Sequence, residues 1–330
     1  MSRWTVGAGL VALVAFAVLL GVRFGSVPVS TSEVGAVLFG GGDATTRDIV
    51  LRLRLPRVLL ALLVGGGLAI AGATFQALLR NPLAEPYILG ISGGASVGAV
   101  LILALGWAVA GSWVLPLGAF AGALLAITLV FRVATSTGRA MDVRVLLLAG
   151  VVVAAFFSAC IAFILSVSPA RTVQSAVLWI MGSLAGATWR SVAVAAAYTL
   201  PATMLLVGLA RPLNLMSIGE ETAHYLGADV EGVKRLSLGV AALVTASGVA
   251  VAGVIGFVGL VVPHAVRLLV GSDHRALLPL SFLAGGAFLA IADVVARLAL
   301  APTEIPIGVI TAFVGVPFFL VLLRRSVGVA

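Results

Sequence analysis

Few residues in this chain could do chemistry, and their spacing narrows what that chemistry can be. Its single lysine, Lys234, follows Val233 rather than a glycine, so no G-x-x-x-x-G-K-[ST] loop can place a lysine on nucleotide phosphates. The histidines His224, His264 and His274 fit no H-E-x-x-H spacing, and no serine sits in a G-x-S-x-G elbow. His264, after Pro263, lacks a second ligand at metal-binding spacing and reads as a packed or interfacial histidine. One cysteine, Cys160, supports neither a disulfide framework nor a Cys-based metal cluster. No catalytic, cofactor-binding or metal-ligating residue is therefore expected. Asp293 and Arg297 stand four apart with the acid first, the favourable order for an ion pair on one helix face, and structural pairing is expected rather than a proton relay. The telling polar stretch is SIGEETAHYLG at 217–227: Glu220 and Glu221, then Ala223, His224 and Tyr225, then Gly227, able to stop a helix.

The elements that must position these residues follow from composition. A chain of 330 residues that is 62% hydrophobic and 10% charged, with mean hydropathy +1.23, carries too little charge to clothe a soluble globule. Its solvent is largely lipid. The net charge of +8 and pI near 11.1 come from single arginines scattered between apolar runs, which is not a nucleic-acid face. Counted against the roughly 20 residues needed to cross a bilayer core, the uncharged stretches predict an all-α polytopic membrane protein, one domain over 1–330, with about ten transmembrane helices. Clear single spans lie at 4–22, 58–79, 145–165, 191–210 and 305–323. The 46 uncharged residues at 86–131 hold two more, with a break near Gly111 and Ser112. The 31 at 236–266, with Pro263 inside, predict one full span and one short or bent one; 276–298 completes the set.

The first span follows Arg3, but it is long and has no A-x-A-like cleavage site after it, so it reads as a retained helix. With both termini cytoplasmic, Lys and Arg at 3, 80, 132, 139, 144, 211, 234, 235, 267, 275, 324 and 325 fall inside and the other eight outside, a modest positive-inside bias. The segment 172–184 is too short to cross; it predicts a small helix at the outer mouth or a helical linker. The segment 215–227 predicts short cytoplasmic helices between the sixth and seventh spans. GLAIAG at 67–72 and GVAVAG at 248–253 are each followed ten residues later by a proline, Pro82 and Pro263, at a constant offset of 181. They lie on the second and seventh spans, which would run in opposite directions, as inverted repeats do.

Three long blocks resemble the iron-chelate and vitamin B12 importer permeases, the FecCD-like family. They are RLPRVLLALLVGGGLAIAGATFQALLRNPLAEPYILGISGGASVGA from Arg54, GVIGFVGLVVPHAVRLLVGSDHRALLP from Gly253, and ADVVARLALAPTEIPIGVITAFVG from Ala292. Between the first two stands an E-x-A-x-x-x-G pattern, Glu221, Ala223 and Gly227, similar to the loop with which importer permeases engage an ATP-binding subunit. The resemblance implies a permease of the cytoplasmic (inner) membrane. It would work with a second copy or close paralogue, two ATP-binding subunits carrying ATP and Mg, and an external or periplasmic substrate-binding protein. The chain itself would be no enzyme.

Residue by residue, the resemblance implies ATPase coupling at Glu220, Glu221, Ala223 and Gly227, a small alanine allowing close approach to the partner. It implies docking of acidic binding-protein lobes at Arg54, Arg57 and Arg297, where charge left outside could steer a partner; the rival account is arginines that anchor helix ends. Asn81, Pro82 and Leu83 match the cytoplasmic gate, where Pro82 and Pro86 prevent a continuous helix and Asn81 could also cap freed backbone. The implied cargo is an iron chelate, a ferric siderophore or haem, by family frequency, with cobalamin as the alternative. An ion-coupled secondary carrier is the more distant alternative.

Overall fold

The computed structural model describes residues 2–25, 27–109, 111–136 and 141–327; Arg139, counted above as cytoplasmic, and the last three residues lie outside them. Every regular element among the described residues is helical. Helix α1 (Arg3–Arg23) is followed by two short helices, α2 (Thr31–Leu38) and α3 (Ala44–Asp48), and a π-helical turn (Ile49–Arg54) runs into α4 (Leu55–Leu78). Then come α5 (Ile91–Ala104), α6 (Val114–Thr135), α7 (Val143–Ser166), α8 (Ala170–Ile180) and α9 (Trp189–Gly208). The chain closes with α10 (Ala210–Ile218), α11 (Glu220–Tyr225), α12 (Val230–Ala252), α13 (Val258–Val270), α14 (His274–Leu298) and α15 (Ile307–Val327).

Among the described residues, seven helices are long and apolar enough to cross a membrane: α1, the continuous Ala44–Leu78, α6, α7, α9, α12 and α14. Three shorter apolar helices, α5, α13 and α15, stand among them. The full-plus-short pair expected across 236–266 is α12 and α13, the loop expected near Gly111 separates α5 from α6, and the short helix expected at 172–184 is α8. Helices α7, α12 and α14 each start on an aspartate, Asp142, Asp229 and Asp273, whose carboxylate accepts a backbone N–H of the first turn at 2.8–3.1 Å, which satisfies a donor that no helix bond can reach.

The bundle is organised around α4, whose apolar window is 83% buried against 22–28% for α1, α6, α7 and α9. Its glycines make this possible. A Cβ on Gly65 would strike the Gly285 carbonyl of α14, and one on Gly72 would strike the backbone of Gly259 in α13. Gly94 and Gly98 of α5 meet Gly122 and Gly118 of α6 in the same way. Close approach through small-xxx-small faces is how helices associate where lipid removes the hydrophobic drive between them. On the outside, α7 bares Leu148, Val151, Val152, Phe156 and Phe163.

The two six-residue echoes part company. Gly67 faces Val244 and Gly248 faces Val64, so α4 and α12 do run antiparallel. GLAIAG, however, continues as helix, whereas GVAVAG ends one at Gly253, whose φ of +72° disfavours any side chain. Pro263 does not make this break; it sits inside α13. A proline there frees the carbonyl four residues back, and that carbonyl, of Gly259, faces the Gln76 Nε2 amide at 3.4 Å.

Candidate functional site

At the predicted cytoplasmic end, α10 and α11 form a knob. Its base is fixed by Asn214, which donates from Nδ2 to Asp273 at 2.7 Å and accepts the His274 backbone N–H at 2.9 Å. Asp273 also receives the Arg3 guanidinium at 2.8 Å, so one carboxylate joins the starts of α1 and α14 to α10. The Asn214 amide, then the Arg275 backbone N–H and Arg3, hold the Asp273 carboxyl below its ordinary range.

The four residues expected to couple divide between two faces of α11. Ala223 is fully buried, in the cluster that contains Leu213 and Met216. Its small size lets α11 pack on its own bundle. Glu220 also turns inward: one carboxylate oxygen accepts from Lys234, the other faces Arg80 at 3.5 Å. Glu221 is exposed, together with Ile218, His224, Tyr225 and Leu226. Gly227 adopts φ +82° and closes the helix, with Ala228 donating to the Ala223 carbonyl at 3.0 Å and Gly227 to His224 at 2.9 Å, a Schellman stop.

Beside the knob lies the segment expected to gate. Asn81 accepts the Leu83 backbone N–H on Oδ1 at 2.9 Å and donates its own N–H to Gln76 at 3.2 Å, so it caps backbone that Pro82 leaves without helix bonds; Pro82 and Leu83 are exposed. A cavity of about 650 Å³ opens here between Arg80, Asp142, Arg144, Leu147, Glu220 and Lys234.

Further along, the chain turns back into the bundle. Glu85 accepts the Phe257 backbone N–H at 2.7 Å, and the Tyr87 hydroxyl donates to the Ile255 carbonyl at 3.1 Å while accepting the Ile255 N–H at 3.2 Å. These side chains satisfy the non-helical stretch between α12 and α13, as irregular backbone inside a membrane protein requires. Sequence reading missed both, because their partners lie 168–172 positions away; the signal available was two polar residues beside Pro86 in an otherwise apolar run.

At the opposite end the three arginines expected to dock are drawn together, but inward. Arg54 is 5% exposed and donates to the carbonyls of Val22, Arg23 and Val27. Arg297, 4% exposed, donates to Phe24 at 2.9 Å and Gly21 at 3.2 Å. Both therefore serve the carbonyl end of α1, where positive charge is favoured. The expected Asp293–Arg297 pair forms at 3.1 Å, but Asp293 lies closer to Arg57, at 2.8 Å, and Arg57 also reaches Glu304 at 2.9 Å. The guanidiniums placed at a docking surface are thus the buried ties among α1, α4, α14 and the loop before α15. The rim around them exposes Arg23, Arg47 and Arg52.

With this geometry in view, the FecCD transport family matches residues 13–325. The cobalamin import system permease protein BtuC of Halobacterium salinarum is 48% identical over 297 residues, 90% of this chain and 79% of its own. The hemin transport system permease protein HmuU of Yersinia pestis is 42% identical over 281 residues, 84% of each chain. A solved metal-chelate type ABC transporter in an inward-facing conformation superposes with a TM-score of 0.86 at 32% identity, over 96% of this chain and 98% of that one.

Proposed function

The chain belongs to the FecCD transport family and is a permease subunit of an ABC importer, and from that premise we propose that it carries a bulky metal chelate, cobalamin foremost, through a pathway shared with a second permease copy. The observation that supports energy input from outside the chain is the division of α11. Its inner face is fixed by Ala223 and Glu220, and its outer face presents Glu221, His224 and Tyr225, exposed among the described residues. A short, rigidly seated helix with a bare outer face is a lever for a separate ATP-binding subunit.

In this reading all ten apolar helices enter the inner membrane, the short α5, α13 and α15 included, and both termini lie in the cytoplasm. The bare faces of α7 and of α15, with Phe313 and Leu320 exposed, are available to the second copy or to lipid. The substrate-binding protein meets the outer rim. There Arg54, Arg57 and Arg297 set the end of α1 in place, and Arg23, Arg47 and Arg52 offer accessible positive charge.

Family frequency alone put iron chelates first, but the 48% identical relative is named for cobalamin, which moves that cargo ahead. Haem is the second reading, favoured by the 42% identical hemin permease. The test is uptake into proteoliposomes holding this permease, its cognate ATPase and its binding protein, supplied in turn with cobalamin, hemin and a ferric siderophore. ATP-dependent accumulation of cobalamin, with little of the others, is expected. Equal uptake of a siderophore overturns the cargo reading. Uphill transport by this chain alone on an ion gradient overturns the importer reading as a whole.

A further inference from the structure

Lys234 is the only lysine in the chain, and its side chain is 3% exposed. A buried ammonium persists only where oxygens replace its water. Here three do: the Glu220 carboxylate of α11, the Met141 carbonyl at 3.2 Å and Glu231 Oε1 at 3.3 Å. The second oxygen of Glu231 accepts the Met141 backbone N–H at 3.1 Å, and the second oxygen of Glu220 faces Arg80, the residue before Asn81, at 3.5 Å. Arg80 holds φ +46°, a conformation uncommon for a residue with a side chain and one that turns the chain sharply out of α4. Four segments therefore meet on one knot of charge: the end of α4 with its gate, the start of α7, the coupling helix α11 and the first turns of α12.

We propose that Glu220 and the buried Lys234 form a strut through which displacement of α11 is delivered to the Arg80–Leu83 gate segment and to the start of α7. Glu220 is then a positioning residue, not an ATPase contact. Lys234 is 3% exposed and Glu220 37%, so the pair resists separation chiefly because the buried ammonium would lose its counter-charge; packing of Ala223 alone would let α11 slide. The knot also walls the 650 Å³ cavity, so a shift of α11 changes that cavity's shape. This inference rests on the reading of α11 as the ATPase lever.

The experiment uses the complete complex in proteoliposomes and reads ATP hydrolysis and cargo uptake separately. Glu220→Gln keeps size and an acceptor while removing the charge. It is expected to lower uptake about tenfold, within the usual range of coupling between sites, while ATP hydrolysis stays within about twofold of the parent. Lys234→Met is expected to do the same, and the double variant Glu220→Gln with Lys234→Met is expected to lose no more uptake than either single one, because both break the same link. A purely structural role lowers hydrolysis, uptake and assembly together, with losses that add in the double variant; that result overturns the strut. So does full uptake in both single variants. Tyr225→Ala separates the two levels of the argument. If it abolishes ATPase-subunit binding while the strut variants transport normally, the lever stands and the strut falls; if subunit binding survives loss of both Tyr225 and Glu221, lever and strut fall together.

Discussion

Replacing Asp293 by asparagine tests what the outer arginines are for. The side chain is 1% exposed. It accepts from Arg57 at three contacts of 2.8–3.1 Å and pairs with Arg297 at 3.1 Å. With Glu304 it offsets two of the three positive charges carried by Arg54, Arg57 and Arg297. In Asp293→Asn the cluster keeps three guanidiniums against one carboxylate, and that carboxylate is 33% exposed. Breaking a buried pair by removing one partner costs about 3–5 kcal/mol. Glu304→Gln removes a partly hydrated charge and leaves Asp293 on Arg57, so its cost is no more than ~1 kcal/mol. Unfolding of the purified permease in mixed detergent micelles, titrated with SDS, measures both. The expected order is Asp293→Asn far below Glu304→Gln, with Glu304→Gln near the parent. The reasoning is refuted if Asp293→Asn unfolds within ~0.5 kcal/mol of the parent while the binding protein loses affinity, because the arginines would then serve docking and not the end of α1.

Gly72→Ala presses a methyl group onto the Gly259 backbone and is expected to destabilise by about 1–3 kcal/mol. Gly239→Ala, also within a helix but with open space at its Cβ, is expected to stabilise by roughly 0.5 kcal/mol or more; thermal denaturation in detergent compares the two. Tyr87→Phe leaves both Ile255 backbone groups without their side-chain partner, a loss of about 1–3 kcal/mol that amide hydrogen exchange reads locally as faster exchange at Ile255. The folded-state pKa of Asp273 lies below its unfolded one. Its contribution is therefore fully present above the unfolded value of about 3.9 and is lost as pH falls through the lower folded value. Stability against pH should show a loss below about pH 4 that is smaller in Asp273→Asn, and no effect of Asp273 between pH 5 and 8.

What could be read in the sequence was local. Span lengths announced the long helices, and the 31 uncharged residues at 236–266 announced a full helix and a short one. The place of the break between them was not legible. Pro263 stays helical because Gln76, on another helix, faces the carbonyl it frees, and the turn is made at Gly253 and at Phe257, with φ +67°. Two short helices, α2 and α3, were not anticipated between the first two spans, although Ser30 and Glu33 form a capping box, a pattern visible in sequence. Arg54, Arg57 and Arg297 were singled out by type and motif, but direction was invisible: nothing local says that a guanidinium at a helix end will meet the carbonyls of α1 rather than a partner.

The same limit bears on how cargo is chosen. The polar side chains that sequence reading overlooked, Gln76, Glu85 and Tyr87, are engaged with backbone or with Arg267 at 2.7–3.5 Å, and Asp293 is engaged with arginine. A group that holds a non-helical backbone segment together cannot also bind a passing chelate without leaving that segment unpaired, at a cost comparable to the bond it would gain. These four side chains are therefore committed to holding broken helices and helix ends. Under the proposed function, small residues and apolar faces would then form the route, and recognition would fall to the protein that delivers the cargo. If a foreign binding protein of this class docked with normal affinity and its cargo still failed to pass, selection would have to lie in the route, and that division of labour would be wrong.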